Sequence, residues 1–188
     1  MSNTNDIDYG PLSVLPGVWK GDKGMDVAPD PDGREENPYY ETITFSAIGD
    51  VTNAESQTLV ALHYRQIVQR KSNDGIFHDE TGYWMWDAEA GVIMHSLNIP
   101  RAVSLLAGGS HNGKQDKDGS FVLEVSAAQN DKDWQIIQSP FMRDNAQTTK
   151  FHHRITVAGN TLTYTETMII DIYGNSFEHT DENELTRE

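Results

Sequence analysis

At 188 residues the chain is long enough to form one domain with a single good core. Asp and Glu outnumber Lys and Arg by 29 to 14, and the net charge of −15 repels phosphate backbones and anionic lipid, so nucleic acid and membrane are unexpected partners. The absence of cysteine excludes disulfides, thiolate nucleophiles and zinc–thiolate sites.

The opening residues, MSNTNDIDYGPL, carry neither the basic nor the apolar region of a secretory signal, and no apolar run approaches the roughly 20 residues that span a bilayer. A soluble cytoplasmic protein is the expectation, with residues 1–10 flexible. PLSVLP then suggests one helical turn. LPGVWKGDKG opens a first strand over about 17–24, where Gly17, Gly21 and Gly24 permit a sharp bend or a close backbone approach. The acidic, proline-rich stretch over 25–38 reads as a solvated loop.

Strands are expected next at about 39–48, 57–70, 76–87, 91–98, 101–108, 120–129 and 133–139, divided by the turn-formers SNDG, AEAG, NGKQDKDG and NDKD. In FHHRITV, Phe151, His153, Ile155 and Val157 alternate with His152, Arg154 and Thr156. In TLTYTETMIIDI, Leu162, Tyr164, Met168, Ile170 and Ile172 share one parity, and four threonines hold the other. The AGN between these runs is hairpin chemistry. A last strand covers 176–187. About ten or eleven strands with short turns point to an all-β chain, a single up-and-down antiparallel barrel over 1–188, with a β-sandwich as the competing architecture. A barrel of that size can be wider than its own side chains fill, leaving room for a ligand.

Three partial motifs carry no chemistry. GGSHNGKQ lacks the Ser or Thr that a phosphate loop needs after Lys114, and a strand follows where a helix is required. DPDG and DKDG lack the first ligand and the closing Glu of a calcium loop. No G-x-S-x-G or H-E-x-x-H occurs.

Three stretches are more informative. In a closed barrel the first and last strands are neighbours, so Arg187 can lie across the indole of Trp19. In FHDETGYWMWD, His78, Glu80, Gly82, Trp84 and Trp86 share a parity, and two tryptophans on that side turn it inward, His78 included. In the tail, Glu178, Thr180, Glu182, Glu184 and Thr186 form a wholly polar face, which sends the face of Phe177, His179, Asp181, Asn183, Leu185 and Arg187 to the interior. An inward imidazole needs a partner, since an unsatisfied buried polar group costs about 1–3 kcal/mol. Parity alone leaves His179 open between a hydrogen-bonded core residue and a ligand-binding one.

LPGVWKG, YRQ, FHDETGYW, AGG, YTETM and the final FEH…LTR, taken in order from about residue 11 to the end, resemble the nitrobindin family of lipocalin-like, fatty-acid-binding-protein-like heme barrels (calycins). The resemblance implies a ten-stranded barrel holding ferric heme b at one open end. It implies His179 as the iron's axial ligand, Met168 beside the heme, His78 in the cavity and Asn98 lining the pocket. Trp84, Met168 and Phe177 would form the apolar walls, and Asp181 would hold the second ring nitrogen of His179. Family members react with nitric oxide, and some are described as isomerising peroxynitrite, so such an isomerase activity is an expectation here. A homodimer is left open. The alternative is a heme-free carrier of a small apolar ligand such as a fatty acid. Fatty-acid carriers often fix the carboxylate with an inward Arg or Tyr, whereas Arg65 and Arg154 fall on outward parities and Arg187 is taken by Trp19, which favours heme. A ligand-free interaction protein is the third reading.

Overall fold

Alternating burial builds this molecule. The computed structural model describes residues 7–188, and its strand β10 (Thr161–Ile172) is representative. Leu162, Tyr164, Glu166 and Met168 are buried there, while Thr161, Thr163 and Thr165 are exposed. Ten other strands accompany it: β1 (Gly17–Asp30), β2 (Gly33–Asn53), β3 (Gln57–Arg70), β4 (Ile76–Asp87), β5 (Val92–Ile99), β6 (Val103–Ser110), β7 (Phe121–Ala128), β8 (Ile136–Gln138), β9 (Ala146–Ala158) and β11 (Asn175–Arg187).

Ten strands close into an antiparallel barrel. Each of β1 to β6 pairs with its successor, β7 pairs with β9, β9 with β10, β10 with β11, and β11 returns to β1. The short β8 stands outside this ring and pairs with β6 through Val103 opposite Gln138. Closure removes the free sheet edges that would otherwise invite aggregation. The seam is the expected one. Trp19 lies opposite Arg187, whose guanidinium carbon sits 4.4 Å from the indole centroid. The Trp19 Nε1–H donates to Leu15 O at 2.7 Å, and Arg187 donates to the carbonyls of Pro16 and Val14.

A 3-10 turn at Gly10–Val14 places Leu12 and Leu15 out of solvent at the end of the barrel where β1 begins. Residues 1–10 were expected to be flexible. Of these, 1–6 lie outside the described residues, but Tyr9 packs into the core and Gly10 opens the turn. A short helix, α1 (Pro140–Asn145), was not anticipated. Its signal is present, with Ser139 Oγ accepting from Met142 N and Pro140 in the first turn.

The stretch over 25–38 is not a loop. β1 and β2 continue through it as one long hairpin, paired from Gly24 opposite Tyr39 to Asp30 opposite Gly33. Proline misleads here because both residues occupy tolerated positions. Pro29 lies beyond Val27, the last β1 residue paired to β11, and Pro38 precedes Tyr39, where β2 begins pairing with β3. Pro29 therefore has a neighbour on one side only, and Pro38 meets the end of β3 through its carbonyl alone, which accepts from Lys71 N at 3.1 Å, so neither missing N–H costs a ladder bond. Gly24 makes the approach of the two strands possible. A Cβ there would stand 2.0 Å from Tyr39 Cε2, and the β1 register slips between Gly21 and Gly24. Among the described residues no helix is long and apolar enough to cross a membrane.

Candidate ligand-binding cavity

The far end of the barrel, where the β1–β2 hairpin projects, holds a cavity of about 260 Å³. Its walls divide by chemistry. Val68, Phe77, Val103, Met168 and Ile170 supply an apolar side, whereas Asp26, His78, Glu166, His179 and Asp181 supply a polar one. Arg70 and Arg101 also line it, with Arg70 stacked 4.2 Å over the Phe77 ring.

His179 reaches the interior from β11, as parity requires. Its Nε2 lies 2.7 Å from Asp26 Oδ1 and 3.6 Å from Asp181 Oδ2, while its Nδ1 is buried without a hydrogen-bond partner among the described residues. The second oxygen of Asp26 accepts from the Asn37 amide at 2.9 Å. The close partner of the imidazole is therefore Asp26 rather than Asp181, delivered by β1 from the segment read as a loop. Burial alone would lower the ring's pKa. The hydrogen bond to Asp26 and the charges of Asp181 and Asp26 outweigh it, and the net shift is upward. Met168 lies directly across from His179 on β10 and lines the cavity, as expected.

His78 also lines the cavity and starts a chain of hydrogen bonds into the core. His78 Nε2 stands 3.2 Å from Glu80 Oε2, and Glu80 Oε1 accepts from the Tyr64 hydroxyl at 2.5 Å. Having donated to Glu80, that hydroxyl accepts from His95 Nε2–H at 2.8 Å. Burial lowers the pKa of His78, but the Glu80 hydrogen bond and charge reverse the sign. Burial and then His153 hold His95 well below the ordinary histidine range. Trp84 stacks on His95 with centroids 4.3 Å apart. It is a fully buried support beneath the cavity, not one of its walls. Asn98 faces outward, exposed, and accepts from Ser104 Oγ at 2.7 Å. The register of β5 gives the cavity position to its neighbour Ile99.

A second polar network spans four strands. Glu41 accepts from Gln66 Nε2 at 2.6 Å, Asn183 Nδ2 at 2.7 Å and the Tyr164 hydroxyl at 3.0 Å. That hydroxyl in turn accepts from Tyr39 at 2.7 Å. Burial pushes Glu41 up to about 7 against the hydrogen bonds from Asn183 and Tyr164. Burial also pushes Asp181 up to about 6, with His179 opposing.

Sequence reasoning singled out His179, His78 and Met168, and the cavity brings all three together. It passed over Asp26, Glu41, Glu166, Tyr64 and His95. Parity held a signal for several of them. Glu41 alternates in step with Ile43 and Phe45, Glu166 with Tyr164 and Met168, and His95 with Ile93 and Leu97.

This chain matches the THAP4-like, heme-binding beta-barrel domain over residues 8–187. It belongs to that family. The resemblance carried by the sequence motifs therefore holds at family level. Among solved structures, the heme-barrel fold here is similar to the crystal structure of Rv2717c from M. tuberculosis, with a TM-score of 0.67 and 21% identity over 94% of each chain. At that identity the likeness is one of fold. No curated protein matches the chain.

Proposed function

We propose that the cavity binds ferric heme b with His179 as the axial ligand, and that the loaded protein meets nitric oxide or related reactive nitrogen species. The carrying observation is the state of His179. One ring nitrogen is engaged by Asp26 and the other has no partner among the described residues. A metal-ligating histidine typically has one nitrogen oriented by a carboxylate and the other left for the metal. The other cavity residues fit the group as well: Met168, Phe77 and Ile170 offer an apolar surface to a porphyrin face, and Arg70 and Arg101 offer cations to its carboxylates. When bound, heme supplies an iron centre able to coordinate small nitrogen oxides.

The protein's own contribution is orientation and proton control. Asp26 fixes the ring of His179. His78 stands in the same cavity, with Glu80 holding the proton of its Nε2 and Tyr64 behind Glu80. An isomerase activity towards peroxynitrite remains part of this proposal. A fatty-acid carrier is the weaker reading: Arg70 and Arg101 would serve its headgroup as well, but a carrier leaves the buried, unpartnered Nδ1 of His179 without a role.

Hemin titrations of wild type and His179→Ala, followed by absorption, test the assignment. Wild type should take up about one hemin per chain with a Soret band that the variant lacks, while the variant keeps its fold without hemin. An unchanged band in His179→Ala would transfer the axial role to His78. A wild type without any hemin-induced band would overturn heme binding and favour the carrier.

A further inference from the structure

Three acids share one cross-strand row inside the barrel. Asp26 on β1 lies opposite Asp181 on β11, and Asp181 lies opposite Glu166 on β10. Like charges directly opposed on one face are destabilising. No Lys or Arg among the described residues forms an ion pair with any of the three. Glu166 is more than nine-tenths buried, lines the cavity and is offered no hydrogen bond by a described residue. His153 Nδ1 stands 3.3 Å from it and makes no hydrogen bond with any described residue. The interior thus concentrates acidic groups at one spot where no lysine or arginine of the described residues pairs with them, although Arg70 and Arg101 line the same cavity.

His179 completes a donor set at that spot. It precedes Asp181 by two residues on the same face of β11, and its Nε2 points between Asp26 and Asp181. One ligand atom from each of the three residues lies within 4.8 Å of the others. One imidazole and two carboxylates are a common set for divalent transition metals, and three protein ligands leave positions for water or a small anion. Here those positions face a cavity. We infer that Asp26, His179 and Asp181 form a site for a divalent transition-metal ion such as Zn²⁺, separate in chemistry from heme binding.

The site has a consequence for heme uptake, and only this consequence rests on the proposed axial role of His179. A metal held through Nε2 takes that nitrogen's lone pair, and the neutral ring then carries its proton on Nδ1. Such a ring has no second lone pair for iron. Divalent metal and heme should therefore exclude one another, and the heme-free protein is the metal-binding form.

The test uses the full chain, freed of metal by chelator and without hemin, titrated with Co²⁺ by visible absorption and with Zn²⁺ by calorimetry. Wild type should bind about one ion with the d–d bands of a low-coordinate Co²⁺ site. His179→Ala and Asp181→Asn should each weaken binding at least about tenfold. Glu178→Gln, which removes an exposed acid from the outer face of the same strand, should bind as wild type does. Melting curves in chelator establish that each variant is folded. Should Asp26→Asn fail to fold, the partly exposed Asp181 carries the test. Saturating Zn²⁺ should raise the hemin concentration needed for half-maximal Soret absorbance. Absence of a cobalt band in wild type, or equal loss in Glu178→Gln, overturns the site. Metal binding without hemin uptake sinks the heme proposal alone, and hemin uptake without metal binding sinks this one alone.

Discussion

Protons held by interior residues set the response of this barrel to pH. His78 and His179 have raised pKa values because their carboxyl neighbours outweigh burial, and burial raises Glu41 to about 7 and Glu166 well above the usual range. For all four the folded state binds the proton more tightly than the unfolded chain does. Their stabilisation is complete below the unfolded values and disappears as pH rises through the folded ones. His95 and His153 have the opposite sign: burial keeps both neutral, His153 down to about 3, so they cost stability only below roughly pH 6.5, where the unfolded chain protonates them. From about pH 4.5 to 6.5 the buried acids and these two histidines oppose each other. Above about 6.5 only losses remain. Heme-free, metal-free protein should therefore show a level melting temperature between about pH 4.5 and 6.5 and a decline from about pH 6.5 to 8.5. Glu41→Gln removes one falling contribution below 7, so its stability should rise with pH between about 5 and 6.5, by up to roughly 1 kcal/mol per pH unit. A wild-type melting temperature that climbs from pH 6.5 to 8.5 would contradict these assignments.

Strand pairing makes its tightest demands where backbone meets backbone. Gly82 on β4 lies opposite Leu97 of β5, and a Cβ at that position would stand 1.9 Å from the carbonyl oxygen of Ser96. A backbone atom within a ladder cannot move aside as a side chain can. Gly82→Ala should destabilise the protein by about 1–3 kcal/mol or more in urea unfolding, from this overpacking alone. It should also disturb His78 and Glu80, which share the strand's inward face. An unchanged urea midpoint would show that β4 and β5 can separate locally. The β1–β2 hairpin makes a different contribution. By extending past the barrel rim it brings Asp26, Ala28, Pro29 and Glu35 to the cavity, so the element that resembles a solvated loop in composition supplies both a wall and the partner of His179.

Closure is a property of the whole chain, because the two strands at the seam come from opposite ends of it. Leu185 is fully buried, and Arg187 covers Trp19 while donating to the carbonyls of the preceding turn. Removing residues 185–188 should cost at least about 3 kcal/mol, combining loss of a buried leucine with loss of the cation over the indole. It also exposes part of the β1 edge to pairing with other chains. Arg187→Ala alone should cost about 1–2 kcal/mol. A truncated protein that melts with wild type would mean that the seam is held elsewhere.

Alternation along each strand determined which residues turn inward. His179, His78 and Met168 were readable for that reason, since a single strand's pleat decides the face of every residue on it. The seam was readable too, because barrel closure makes the first and last strands neighbours whatever lies between. Asn98 marks the limit, since it was placed by motif likeness and a one-residue difference in position puts its side chain outside the barrel. Other features depended on register between strands that are distant in sequence. Asp26 meets His179 across 153 residues, and Glu41 gathers Tyr164 and Asn183 from across the barrel. Parity can say that an acid faces inward. Only the closed barrel, through its shear and twist, decides which imidazole or hydroxyl it meets there.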